Sequence, residues 1–130
     1  MDIRVDTRQL EDNISVIDVQ GEIDVYTSSW VKEAVNDFIQ RGNYHIVINL
    51  EQVRYIDSTG LGVLIGALKR VHEHEGSISL ICTNPHIRKI FNITGLVKIF
   101  PIYKSEEEAV KALKSGQPQN DAPSEDTGVN

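Results

Sequence analysis

Between Ile3 and Lys114, short β-branched runs take turns with segments of helical period. That alternation limits the fold more than any other property. Strands joined through helices pair in parallel, and a parallel sheet needs helical cover. The run H-I-V-I-N-L at residues 45–50 is apolar on both faces, as a buried central strand must be. I-S-V-I-D-V-Q at 14–20 has period-two alternation and β-branched content. Residues 3–8 alternate more weakly and fit an edge strand, and 77–82 and 99–103 supply two more strands.

The helices fall between these runs. Residues 28–41 carry Val31, Ala34, Val35 and Phe38 on one stripe, with Thr27 or Ser28 as cap and Gly42-Asn43 as stop. Residues 51–57 read as a connecting loop, and a long helix follows over 58–75, stopped by Gly76. Asn84-Pro85 opens a helix to Thr94 with Ile87, Ile90 and Phe91 inward and Gly95 at its end. Ser105 and Glu108 form a capping box for a last helix ending near Lys114. The expectation is one α/β domain over residues 1–114. Its four- to five-stranded, mixed but mostly parallel sheet is covered by about four helices.

Residues 115–130 differ in kind. They hold Asp121, Glu125 and Asp126, no lysine or arginine, two prolines and two glycines. Such a segment buries too little surface to offset its ordering entropy and reads as a disordered acidic tail. It carries three of the six units of net negative charge. The whole chain, at −6, lacks the basic surface a general nucleic-acid binder needs. No apolar run is long enough to span a membrane. The lone cysteine, Cys82, rules out an internal disulfide and fits a reducing, cytoplasmic setting as a buried small hydrophobe.

The segment 57–66, D-S-T-G-L-G-V-L-I-G, holds the information about function. On a helical wheel Leu61, Leu64, Ile65, Leu68 and Val71 share the side that faces the sheet. Gly62 and Gly66 fall on the opposite side, with Lys69, Arg70 and Glu73, and Val63 beside them. A glycine within a helix costs about 1 kcal/mol relative to alanine. Core packing does not call for glycines on an outer face, whereas a partner that approaches closely does, and Thr59 and Val63 border that face. Ser58 opens the helix, among unpaired N–H groups and the positive end of the helix dipole. A phosphate there adds roughly −1.5 to −2 charge, which the helix end tolerates and a docked partner does not. The plainer reading is that Asp57 or Ser58 only caps the helix.

Three stretches together resemble the STAS-domain anti-sigma factor antagonists of bacteria. V-I-N-L-E-Q-V-R-Y-I-D-S-T-G-L-G-V-L-I-G-A-L-K-R at 47–70 is similar to the family's signature. G-E-I-D-V-Y-T-S at 21–28 and I-T-G-L-V-K-I-F-P-I-Y at 93–103 resemble two further landmarks. The resemblance implies that Ser58 is the regulated serine. An anti-sigma factor with serine kinase activity binds the unphosphorylated protein and so releases a sigma factor. The same kinase uses ATP to phosphorylate the serine, the complex parts, and a serine phosphatase restores it. The docking surface implied comprises Glu22, Asp24, Tyr26 and Thr27 in one loop, with Asp57, Ser58, Thr59, Gly60, Gly62, Val63 and Gly66 at the start of the long helix. STAS domains also serve as scaffold or transport-associated modules, the alternative role without a phospho-switch.

Enzymatic readings fit poorly, and no cofactor or metal is called for. The aspartic protease motif has one residue between Asp and Gly, whereas Asp57-Ser58-Thr59-Gly60 has two, and it needs a second carboxylate on a β-rich fold. A dinucleotide turn follows its strand at once and is answered by an acidic residue ending the next strand. Here residues intervene, Ile65 stands where Gly or Ala is wanted, and the next strand ends Ile81-Cys82-Thr83. His72 and His74 point to different sides of one helix, a poor metal-ligand spacing. Trp30 lies off its helix's apolar stripe, either as a partner contact or half-buried at the sheet edge.

Overall fold

A computed structural model of the chain describes residues 2–116. Ser115 and Gly116 close the last helix, and the rest of the expected tail lies outside the described residues. Five strands form one sheet in sequential order: β1 (Ile3–Gln9), β2 (Ile14–Ile23), β3 (His45–Ile56), β4 (Ser77–Ile81) and β5 (Ile102–Tyr103). Only β1 runs antiparallel to its neighbour. The mixed, mostly parallel sheet is thus as expected.

Between the strands come α1 (Ser28–Gln40), α2 (Ser58–His72) and α3 (Pro85–Thr94), and α4 (Glu106–Lys114) ends the domain. Crossovers of one hand that always step the same way along a sheet leave their helices on one face. Accordingly Val31, Val35 and Phe38 of α1, Leu64, Leu68 and Val71 of α2, and Ile87 and Phe91 of α3 join one core with Ile17, Ile46, Ile48 and Leu80. The second, smaller core sits on the other face, where Ala109 of α4 packs on Ile14, Val16, Val47 and Ile81. Beside it, Arg8 Nε donates to Asp18 Oδ2 at 2.7 Å and Arg8 Nη2 to Glu106 Oε1 at 2.6 Å, tying β1, β2 and α4 together. The hydrogen bonds from Arg8 hold the Asp18 carboxyl below its ordinary pKa.

The local signals hold where they were strongest. Asn84 Oδ1 accepts from His86 N, Gly95 ends α3 at φ 79°, and Ser105 Oγ accepts from Glu108 N. Cys82 is fully buried, which raises its thiol pKa. The long helix stops at His72, three residues short of its expected end, and two of the strand expectations fail. Residues 51–56 are not a loop but the far half of β3. They pair with Gln20–Ile23 of β2 across two register shifts, and these irregularities hide the alternation from view. The last strand shrinks to Ile102–Tyr103, because Leu96–Lys98 coils into a 3₁₀ turn and Phe100 buries itself against Phe91.

Candidate functional site

The carboxyl ends of β2 and β3 lie side by side, and each feeds a helix. The ends of neighbouring parallel strands are where α/β sheets place their functional loops. Asp57 N donates to Ile23 O at 3.1 Å, which fastens the start of α2 to the end of β2. Gly60 makes this approach possible. A Cβ there would stand 2.7 Å from Ile56 Cγ1 and 2.8 Å from Ile23 Cγ2. Gly60 is buried, so its expected place on the docking surface is corrected: it is a packing glycine inside the joint between α2 and the sheet. A helical wheel misses this because the crowding comes from another strand.

Asp57 is the N-cap of α2, in extended conformation, and its Oδ1 accepts from Gly60 N at 3.0 Å. Ser58 is therefore the first helical residue, exposed, and free of capping duty. Thr59 is exposed as well, and Val63 is half-buried. Four-residue steps carry one ridge along the helix from Ser58 through Gly62 and Gly66 to Arg70. At Gly62 an added Cβ would meet nothing within 4 Å. At Gly66 it would meet Arg70 Nη1 at 3.3 Å, so the guanidinium folds back over the glycine. Arg70 Nε and Nη2 are buried there with no hydrogen-bond partner among the described residues. A desolvated donor without an acceptor is costly, and a ligand or partner is one way to supply it.

The loop 24–27 lies next to this ridge, and its side chains divide the work. Asp24 Oδ1 accepts from Tyr26 N at 2.9 Å and from Thr27 N at 3.0 Å, while Thr27 Oγ1 donates to Glu22 O at 2.7 Å. Asp24 and Thr27 are thus buried builders of the loop, not surface contacts. Thr27, at the N-cap position of α1, makes no side-chain cap hydrogen bond, since its hydroxyl is engaged in the loop. What the loop presents is Tyr26, 80% exposed, and Val25, 61% exposed. Sequence reasoning missed Val25 and also Tyr55, an exposed strand residue opposite Glu22. Glu22 is half-buried, with Arg54 Nη2 at 3.8 Å. The bond from Tyr26 N to Asp24 Oδ1 is an Asx-turn, a local use of aspartate that its place in a loop already allowed. His74 is exposed and stacks on Tyr44, the ring centroids 4.1 Å apart. Trp30 is exposed on the α1 side of the sheet edge.

A sequential sheet with three helices on one face, and an exposed serine at the head of a capped helix, define the class to which the chain is assigned. The STAS domain model matches residues 5–109, and the chain belongs to the STAS domain family. Its relatives include an anti-sigma F factor antagonist of Paenibacillus polymyxa, 33% identical over 102 residues, which covers 78% of this chain and 87% of that protein. Among solved structures, an anti-sigma factor antagonist from Mycobacterium paratuberculosis is 27% identical at a TM-score of 0.79, spanning 87% of this chain and 95% of the other. The phosphorylated form of the Bacillus cell fate determinant SpoIIAA shares the fold at 24% identity and a TM-score of 0.68, over 85% and 99% of the two chains.

Proposed function

We propose that this chain is an anti-sigma factor antagonist, a binding protein and not an enzyme, whose grip on its anti-sigma factor is released by phosphate on Ser58. The carrying observation is the division of labour at the head of α2. Asp57 does the capping, and Ser58 is left exposed at a helix N-terminus. The first N–H groups of the helix and its dipole tolerate an added phosphate, so the fold survives it. A partner lying over Gly62 meets new bulk and about −1.5 to −2 charge. Relatives named as anti-sigma factor antagonists, and a structural neighbour that exists in a phosphorylated form, support the reading.

The partner is an anti-sigma factor with serine kinase activity, and a serine phosphatase resets the switch in the cytoplasm. Glu22, Tyr26, Thr59, Gly62 and Val63 form the contact surface, joined by Val25. Arg70, lying over Gly66, offers its unpaired donors to a carboxylate or carbonyl of the partner. The domain spans residues 1–114.

The test is incubation with the candidate kinase and ATP, followed by mapping of the phosphate by mass spectrometry. The modification is expected on Ser58 alone. Ser58→Asp should weaken kinase binding at least about tenfold, about 1.4 kcal/mol, with an unchanged circular dichroism spectrum. Phosphate elsewhere sinks the assignment. A complex that persists whether or not Ser58 is modified favours the scaffold role instead.

A further inference from the structure

The strand β1, I-R-V-D-T-R-Q, ends the sheet, and no other strand among the described residues covers its outer edge. An exposed edge is a template for pairing with another chain. Which backbone groups it offers follows from its register with β2. Glu22 N donates to Asp2 O and Leu10 N to Ile14 O, so Asp2/Glu22 and Leu10/Ile14 are hydrogen-bonded pairs. Hydrogen-bonded and non-bonded pairs alternate along an antiparallel ladder. Arg4, Asp6 and Arg8 therefore spend their backbone groups on β2, and Ile3, Val5 and Thr7 turn N–H and C=O outward.

Charge then selects the register. Arg4, Asp6 and Arg8 alternate in sign along one face. In an antiparallel two-fold pairing centred on Asp6, that residue meets its own copy and Arg4 meets Arg8. Like charges directly opposite are destabilising. Centring on Thr7 pairs Asp6 with Arg8, but Arg8 is already held by Asp18 and Glu106. Centring on Val5 sets Arg4 against Asp6 of the second copy, twice. It also makes Val5 a hydrogen-bonded pair with itself and sets Ile3 against Thr7 on the face that carries α1. Arg4 and Asp6 are free to do this, since their own contact, Nε to Oδ2 at 2.9 Å, is solvent-exposed and worth little. The open groove between β1 and α1, walled by Val5, Thr7 and the exposed Trp30, gives the incoming strand room.

We propose that the chain forms a two-fold dimer by antiparallel pairing of β1 with β1 of a second copy, in register about Val5, so that Arg4 of each faces Asp6 of the other. The interface is isologous and closed, which limits growth to two copies. It stands apart from the Ser58 reading and survives that reading's failure.

Sedimentation velocity on the full chain, over a dilution series reaching about 1 mM, tests it. The unaltered chain should dimerise. Arg4→Asp alone and Asp6→Arg alone should each dissociate at least about tenfold more readily, because both cross-strand pairs turn repulsive. An equimolar mixture of the two should form a heterodimer, and the doubly swapped chain should dimerise again. Circular dichroism should match throughout, since both side chains are exposed. A chain that stays monomeric across the series, reversals without effect, or a mixture that fails to pair overturns the proposal.

Discussion

Gly60 and Gly62 sit two residues apart on one helix and do opposite things. Gly60 is buried at the joint where α2 meets the ends of β2 and β3, and a methyl group there would press on Ile56, Ile23 and the Ile23 carbonyl. Gly62 faces open space. One glycine lets the fold close, and the other keeps an outer surface low. The contrast extends along the helix: Leu64, Ala67, Leu68 and Val71 are buried, while Ser58, Gly62, Gly66 and Arg70 form the outer ridge. The inner side of the helix thus carries the packing, and the outer side is the one proposed for recognition.

Alanine at the two glycines measures this contrast directly, since the gain in helix propensity is similar in both. The larger effect belongs to Gly60→Ala. Overpacking against two β-branched side chains and a carbonyl costs about 1–3 kcal/mol, partly offset by up to about 1 kcal/mol of propensity. Urea unfolding should show a lower midpoint with an unchanged slope. An equal or higher midpoint would mean that the joint yields, and that the two glycines are not different in kind.

Next in size is the cap. Asp57→Ala removes the side-chain acceptor of the Gly60 amide and should cost about 1 kcal/mol. Ser58→Ala should stay within about 0.5 kcal/mol, as surface changes do. The pair separates capping from switching. If Ser58→Ala destabilises as much as Asp57→Ala does, Ser58 shares the structural duty and its freedom to take phosphate is lost.

These residues also mark how far the sequence could be read. The inward stripe of α2, the caps at Asn84 and Ser105, and the stop at Gly95 depend on neighbours in sequence, and all were legible. Asp57 and Ser58 are both good caps, so the sequence left the choice open until the hydrogen bond to Gly60 decided it. Gly60 was misplaced because Ile23 and Ile56 reach it from strands, and no wheel includes them. The far half of β3 was missed because bulged pairing with β2 breaks the period-two pattern. Asp24 and Thr27 were placed in the right loop but given the wrong duty. Polar residues at a loop can face a partner or bond their own backbone, and only the folded loop distinguishes the two.

The smallest effect on stability is the one that separates the faces most cleanly. Gly62→Ala has nothing to strike, so it should raise stability by no more than about 1 kcal/mol, through helix propensity and a less flexible unfolded chain. The same methyl stands in the middle of the proposed docking ridge. Binding to the anti-sigma factor should therefore weaken while the protein itself becomes harder to unfold. Isothermal calorimetry and urea unfolding on one preparation read both numbers. A variant that is more stable and binds as before would show that the partner does not approach Gly62 closely. The outward glycine would then need another explanation, because stability alone favours alanine there.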